Sequence, residues 1–292
     1  FCENILAMPV TRGRKTDKEK FNGAEETYCI ECMMHDRKAL QAGTSHYFGD
    51  GFAKAFDITF TGADNQLHYP HQTSWGVSTR LIGGIIMTHG DDNGLVLPPR
   101  VAPIQAVVLP IAMHKEGVLE AAQALRDRLA QAGIRVRLDD SDKAPGWKFA
   151  EYEMRGVPLR VEIGPKDMEK AQCCIARRDT GEKTFVPLDQ LEAAVSRLLD
   201  EIHENMFAMA RKNLEDNTFT AETWEQVQAI IEKNSGGFVH TKWCGSLECE
   251  VAMKERAGVT SRCMPLAQSG TSGTCPVCGK ACATDIIWGI AY

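Results

Sequence analysis

The spacing of apolar and polar residues changes at about Arg100. Before that residue, short apolar runs such as residues 55–60 are separated by polar turns such as residues 61–65, a pattern typical of antiparallel strands. Residues 78–89 are apolar on most sides, which predicts a buried helix ending near Gly90. The first third of the chain therefore predicts an antiparallel sheet followed by a helix.

After Arg100, apolar runs of strand length alternate with helical patterns. Residues 104–111 predict a buried strand, and the apolar spacing over residues 114–132 predicts a helix closed by Gly133. Three more strands and a long amphipathic helix are predicted in this order: strands at 134–138, 159–163 and 171–176, and the helix at 188–214. This alternation is typical of an α/β domain with a mixed sheet.

The last eighty or so residues change character again. Residues 220–233 predict one more helix, with Thr220 as its N-terminal cap. From Ser235 onward the sequence is rich in Gly, Ser, Thr and Cys and poor in large apolar residues. Such a segment needs something besides an apolar core to fix its structure.

Composition limits the classes of protein that fit. A chain of 292 residues predicts two or three compact units. The formal net charge of -6 argues against a protein that coats polyanions through a global positive field, so a nucleic-acid site would be a local basic patch. With no apolar run of 18 residues and no signal peptide, we expect a soluble cytoplasmic protein without a membrane partner.

The eleven cysteines contain one arrangement with metal-ligand spacing. Without a secretion signal, a reducing compartment and free thiols or metal ligands are expected. Two pairs separated by turn residues predict a zinc site with four thiolates: Cys244, Cys249, Cys275 and Cys278. Unpaired buried thiols are the alternative, and Cys263 or Cys282 could replace one of the four. Cys29 and Cys32 lie in a helix-like segment, where ordinary packing thiols are the simpler interpretation.

Two polar segments in the first third have compositions suited to a small ligand. Residues 40–46 place a glycine among hydrogen-bonding side chains, although a lone histidine such as His46 is more often structural. Residues 73–80 combine a glycine, against which a flat ring can lie, with Arg80, which can contact a phosphate through two hydrogen bonds. The alternative for Arg80 is a structural ion pair.

Together these segments resemble a known family. Residues 76–80 resemble motif 3 of class II aminoacyl-tRNA synthetases, and residues 94–105 look like the passage of prolyl-tRNA synthetases into their anticodon domain. Three later segments resemble the signature of that domain: residues 145–149, 153–160 and 163–167. The similarity covers essentially the whole chain and is closest to the archaeal and eukaryotic-like form.

The resemblance implies an α+β fold in three parts. Residues 1–102 would be the C-terminal part of an antiparallel-sheet class II catalytic domain that includes motif 3. Residues 103–204 would form the α/β anticodon-binding domain with a mixed sheet, and residues 205–292 a small zinc-binding α/β domain. Motifs 1 and 2 of the family would lie upstream of Phe1, so we expect the chain to be part of something longer.

The resemblance also implies roles for individual residues. Arg80 would contact the ATP phosphates as the catalytic residue, and further ATP-site positions are Gln41, Thr44, Gly76 and Ser78. His46 matches a proline-pocket residue, and Trp75 is expected in the pocket wall. The four cysteines match the zinc ligands of the family. For tRNA, Lys148 and Arg160 are preferred among several basic residues because they lie in the family-like segments, although most basic residues are solvated faces.

The implied activity is ATP-dependent attachment of L-proline to tRNA(Pro) through prolyl-adenylate. ATP, Mg²⁺ and Zn²⁺ are the expected cofactors, and the whole enzyme is expected to be a homodimer. A fragment without motifs 1 and 2 is expected to be inactive alone. The alternative is a noncatalytic tRNA-binding module with a structural zinc site, against which the presence of Gln41, Thr44, His46 and Arg80 argues.

Overall fold

A computed structural model describes residues 1–292 and contains eight helices and seventeen strands. The helices are α1 Gly51–Ala55, α2 Arg80–His89, α3 Val118–Gln131, α4 Pro145–Met154, α5 Pro165–Glu169, α6 Leu191–Asp216, α7 Trp224–Asn234 and α8 Leu247–Ala257. The strands are β1 Thr11–Arg14, β2 Glu26–Met33, β3 Ala39–Gly49, β4 Phe60–Thr61, β5 Leu67–His68, β6 Gln72–Gly76, β7 Ala106–Pro110, β8 Val136–Leu138, β9 Leu159–Ile163, β10 Gln172–Arg177, β11 Lys183–Pro187, β12 Thr218–Thr220, β13 Phe238–Trp243, β14 Thr260–Pro265, β15 Gly273–Thr274, β16 Ala281–Cys282 and β17 Thr284–Gly289.

The chain folds into two compact units. One unit consists of Phe1–Met8 and Ile85–Arg211, and the other consists of Pro9–Gly84 and Lys212–Tyr292. Along the chain, one boundary lies between Met8 and Pro9, and the other two fall inside α2 and α6. No helix of either unit combines the length and the apolar character needed to cross a bilayer.

The first unit contains the predicted mixed sheet. Its five strands lie in the order β11-β10-β9-β7-β8, with β7 parallel to β8 and β9 and the remaining pairs antiparallel. Every residue of β7 is buried, as its continuous apolar run predicts. Helices α3 and α6 contribute Leu129 and Leu198 to the core beneath Val161. Gly133 follows α3 with φ of +82°, a backbone conformation that favours glycine at a helix end.

The second unit is built on one eight-stranded sheet. Its order is β12-β13-β17-β14-β1-β2-β3-β6, so strands from residues 11–76 and from residues 218–289 share a single sheet. The junction is the antiparallel pairing of β1 with β14, in which Gly13 lies opposite Pro265. The antiparallel sheet expected in the first third is present. The division into three domains at residues 102 and 204 stays a prediction, and the shared sheet joins the two outer parts of it.

Three local predictions differ from the structure. Cys29 and Cys32 lie in β2 and not in a helix, because β1 and β3 pair with that segment on both sides. The helix predicted over residues 220–233 begins at Trp224, because Thr223 and Gln226 form a capping box. The helix predicted over residues 78–89 is present as α2, but it is not fully buried, since Ile82 is 60% exposed.

Candidate functional site

The predicted ATP and proline residues converge on the neighbouring strands β3 and β6. In the antiparallel register, Thr44 lies opposite Gly76 and His46 opposite Ser74. Side chains of directly opposed residues point to the same face of a sheet, and successive residues alternate between faces. Thr44 and His46 therefore share one face with Gly76, which we call the Thr44 face.

Trp75 lies on the other face of the sheet. It is paired with Ser45, and its side chain is 78% exposed. In this register Trp75 points away from His46, and its role as a wall of the proline pocket stays a prediction. The motif gives the order of residues, but the face that each occupies depends on the pairing of β6 with β3.

Gly76 lies where a ligand could approach the backbone. A Cβ atom added at Gly76 would meet no atom within 4 Å, so the space above it is open. Gly43, by contrast, is packed, since an added Cβ would lie 3.0 Å from Cγ1 of Val77. Packing does not explain the glycine at position 76, but close approach of a flat ring would.

Arg80 connects the start of α2 to β3. Its Nη1 donates a hydrogen bond to the carbonyl oxygen of Gln41 at 3.2 Å, and its backbone N–H donates to Oγ of Ser78. A carbonyl oxygen is a neutral partner, so this contact leaves the charge of the guanidinium available to an anion. Gln41 and His46 are separated by about 16 Å along an extended strand. The candidate site therefore extends along β3, with the guanidinium near one end and the imidazole near the other.

His46 is held in an aromatic environment. Its Nδ1 lies 3.0 Å from Oγ1 of Thr27, and its ring centroid lies 4.9 Å from that of Phe21 and 5.9 Å from that of Phe48. Burial lowers the pKa of His46, which favours the neutral imidazole near pH 7. This end of the site therefore offers an uncharged ring beside apolar surface.

The four predicted zinc ligands come together in the second unit. The sulfur atoms of Cys244, Cys249, Cys275 and Cys278 all lie within 4.8 Å of one another. Tetrahedral zinc with Zn–S bonds of about 2.3 Å requires sulfur atoms about 3.8 Å apart, and those of Cys244 and Cys278 are 3.7 Å apart. The donor set and its spacing therefore fit a zinc ion.

Local backbone geometry brings these sulfurs together. Cys244 follows β13 and Cys249 lies in the first turn of α8, while Cys275 and Cys278 occupy a tight turn after β15. In that turn the N–H of Gly279 donates to the carbonyl of Cys275, and Gly279 adopts φ of +71°, which favours glycine. The backbone N–H of Lys280 lowers the pKa of Cys278 to about 7, which favours the thiolate that a metal requires.

The alternative cysteines have other surroundings. Cys263 lies in β14 and packs with Cys29 in a separate buried cluster. A hydrogen bond to Cys263 and burial raise the pKa of Cys29, as expected for a packing thiol. Cys282 is near the four sulfurs but lies outside the group that could hold one ion.

The two residues predicted to contact tRNA differ in accessibility. Lys148 is only 3% exposed, and its Nζ donates to the carbonyl of Asp139 at 2.9 Å. Lys148 therefore has a structural partner, and its contact with tRNA stays a prediction. Arg160 is half-buried, with its guanidinium 4.0 Å from the ring centroid of Phe149 and a hydrogen bond to Glu162. It borders a cavity of about 150 Å³ that Arg177 and Arg178 also line.

Sequence reasoning missed two ring–cation groups in this unit, one at Trp147 and one at Phe149. Trp147 is 49% exposed with Nζ of Lys143 5.5 Å from its ring centroid, and Lys183 lies over the same Phe149 ring as Arg160. Exposed rings with nearby cations suit stacking of unpaired bases. The signal in the sequence is the pair of aromatic residues, Trp147 and Phe149, within residues 145–149.

Comparison with known proteins finds two matching family models and relatives that align with essentially the whole of this chain. The family described as "Anticodon binding domain" matches residues 105–198, and "Prolyl-tRNA synthetase, C-terminal" matches residues 224–292. The chain is 57% identical over 291 residues to a proline–tRNA ligase of Clostridium botulinum (strain 657 / Type Ba4). It is 56% identical over 292 residues to that of Clostridium novyi (strain NT) and 57% identical over 290 residues to that of Ruminiclostridium cellulolyticum.

The alignment covers this chain and its relatives unequally. It includes 100% of this chain but 60% of the Clostridium botulinum ligase and 61% of the Clostridium novyi ligase, and 99% of this chain but 60% of the Ruminiclostridium cellulolyticum ligase. The chain therefore spans about three fifths of the length of these relatives.

Proposed function

We infer that this chain, which belongs to the prolyl-tRNA synthetase family and corresponds to the C-terminal part of its members, contributes to ATP-dependent attachment of L-proline to tRNA(Pro). The strongest support within the fold is the β3–β6 pair, which groups Thr44, His46 and Gly76 on one face. Arg80 is hydrogen-bonded to the same strand at Gln41. Five residues predicted for the ATP and proline sites thus lie on adjoining elements.

The reaction requires alignment of two anions and no protein nucleophile. In the first step a carboxylate oxygen of proline attacks the α-phosphorus of ATP and pyrophosphate leaves, which gives prolyl-adenylate. In the second step a ribose hydroxyl of the tRNA attacks the activated carbonyl, and AMP leaves. Catalysis of such steps depends on positioning and on compensation of negative charge. Magnesium, when bound, would supply part of that compensation at the phosphates.

The proposed roles follow the geometry of the Thr44 face. Arg80 neutralises phosphate charge, Gly76 leaves room for the adenine, and Gln41, Thr44 and Ser78 complete the nucleotide site. His46 contributes a neutral ring to the proline pocket, beside Phe21 and Phe48. A pocket of this kind selects mainly by shape, so discrimination against similar small amino acids should be modest.

The zinc and tRNA roles rest on other elements. The thiolates of Cys244, Cys249, Cys275 and Cys278 would hold zinc in a structural site, because all four positions of a tetrahedral ion are then filled by protein. In the first unit, Arg160 with the rings of Phe149 and Trp147 would contact unpaired anticodon bases. A homodimeric, cytoplasmic whole enzyme is part of the same proposal and rests on the family.

A noncatalytic tRNA-binding module is the competing proposal. It would keep the roles of Arg160 and of the four cysteines, while the sheet of residues 9–84 would only pack. Binding of ATP and proline by the full-length protein distinguishes the two, because only the synthetase requires both.

Replacing Arg80 with alanine in the full-length enzyme should lower proline-dependent pyrophosphate exchange by about 10²–10³-fold, as expected for loss of one positioned group that stabilises transition-state charge. Arg14→Ala is the matched control, because Arg14 is an exposed residue of β1 that pairs with Glu26. Near-normal exchange by the Arg80 variant would remove Arg80 from its assigned role.

Replacing Arg160 with alanine should raise the KM for tRNA by about tenfold, in keeping with about 1–3 kcal/mol for a base-stacking contact. Pyrophosphate exchange needs no tRNA and should stay unchanged. Arg197→Ala is the control, because that arginine is an exposed residue of α6. An unchanged KM would show that anticodon contacts lie elsewhere.

A further inference from the structure

A buried carboxylate lies directly beside one of the four clustered cysteines. Glu250 follows Cys249 in the first turn of α8 and is only 2% exposed. Its Oε1 accepts hydrogen bonds from Oγ1 of Thr16 at 2.8 Å and from Oγ of Ser261 at 2.5 Å. The sequence separation between Glu250 and Thr16 is 234 residues. Neither residue belongs to the nucleotide, proline or zinc positions named above.

Thr16 lies near the start of a turn that contacts His46 through Phe21. Its hydroxyl accepts from the backbone N–H of Glu19, and its carbonyl accepts from the N–H of Lys20 at 2.9 Å. Both ends of the turn are hydrogen-bonded to Thr27. The N–H of Lys15 donates to the Thr27 carbonyl, and the N–H of Phe21 donates to Oγ1 of Thr27. Residues 15–21, which we call the Thr16 turn, therefore have a defined position relative to β2.

Phe21, at the end of the Thr16 turn, and Thr27, to which the turn is hydrogen-bonded, both contact His46. The ring of Phe21 lies 4.9 Å from the imidazole, and Oγ1 of Thr27 lies 3.0 Å from Nδ1. Because that hydroxyl already accepts from Phe21 N–H, its own proton is available for Nδ1. When the hydroxyl donates that proton to Nδ1, the proton of the neutral imidazole resides on Nε2, where it can be donated to a ligand. Displacement of the Thr16 turn would change the packing of His46 and its hydrogen bond at Nδ1.

We propose that Glu250 is a positioning residue that links the metal centre to the amino-acid pocket through Thr16. A metal held by Cys249 and its three partners fixes the first turn of α8, the carboxylate of Glu250 fixes the Thr16 turn, and Phe21 and Thr27 fix His46. The link rests on hydrogen bonds within one unit of the fold. Its consequence for the proline pocket rests on the proposed function, whereas its consequence for backbone protection does not.

The first test measures amide hydrogen exchange in the full-length enzyme. Zinc removal by a chelator, or weakening of the site by Cys278→Ser, should raise exchange at least fivefold in peptides covering residues 15–27. Thr16→Val with zinc bound should raise exchange in the same peptides, and chelation should then add little. Thr16→Ser should restore protection, because serine keeps the hydroxyl. Asp17→Asn is the control, since the neighbouring Asp17 side chain is 95% exposed.

The second test separates the pocket from general stability. With zinc bound, Thr16→Val should raise the KM for proline by about tenfold and leave the KM for ATP within twofold, with Thr16→Ser near wild type. Equal changes in both KM values, or peptides 15–27 that do not respond to zinc, would overturn the proposal. If the wild-type full-length protein fails to bind proline, the proposed function fails, while the exchange experiment still decides whether the link exists.

Discussion

Replacing Cys275 with alanine in the full-length protein should reduce bound zinc from about one ion per chain to less than about one tenth. Cys275 is 1% exposed and shares a core cluster with Trp243, Met253 and Trp288. Removal of one thiolate leaves an incomplete coordination shell and a void in that core. Zinc content by elemental analysis of the purified protein is the direct measurement.

The same substitution should lower the thermal stability of the second unit. Structural zinc contributes about 10–16 kcal/mol in isolated zinc-finger peptides at pH 7. The cysteine turns here adjoin a large sheet, so only part of that free energy should be lost. Even a loss of about 4 kcal/mol should lower the Tm by about 10 °C for a unit of this size. Acid should release the ion as well, because protons compete with zinc for thiolates.

Cys282→Ser is the matched control for this prediction. Cys282 is close to the four sulfurs, and from sequence it could have replaced one of them, yet it lies outside the clustered group. The variant should retain zinc and a Tm near that of the wild type. Loss of zinc from the Cys282 variant together with retention by the Cys275 variant would show that the ligand set is wrong.

The strands that could be predicted are those whose sequence pattern agrees with their final surroundings. β7 is buried throughout and has a continuous apolar run, so pattern and structure give the same answer. β2 carries Cys, Ile and Glu at spacings that also suit a helix. Its pairing with β1 and β3 decides between the two, and those partners come from other parts of the chain.

Side-chain faces and long-range partners were not accessible from the motifs. The sequence predicts His46 and Trp75 in two segments of one site, but His46 lies opposite Ser74, so the next residue, Trp75, points to the opposite face. Lys148 lies within a family-like segment, yet its burial depends on Asp139, which precedes the helix that carries it. Glu250 and Thr16 carry no spacing signal, because 234 residues separate them.

Replacing Glu31 with glutamine should destabilise the protein by about 3–5 kcal/mol, the usual cost of leaving buried charges without their partner. Glu31 is fully buried in β2 and accepts from Nζ of Lys15 at 2.8 Å. Its other oxygen accepts from Nε and Nη2 of Arg262 at 3.0 and 2.7 Å. Glutamine has nearly the same volume as glutamate but no charge. The substitution therefore leaves the buried cations Lys15 and Arg262 without their shared anion. Urea unfolding of the full-length protein measures the loss.

Two further variants separate the charge from the position in β2. Glu26→Gln lies in the same strand, but its partner Arg14 is exposed, so the loss of stability there should be much smaller than in Glu31→Gln. A triple variant, Glu31→Leu with Lys15→Met and Arg262→Met, should recover most of the stability lost in Glu31→Gln, because well-packed apolar replacements of buried ion clusters are often neutral. If Glu31→Gln costs no more than Glu26→Gln, the cluster is not desolvated as the geometry indicates.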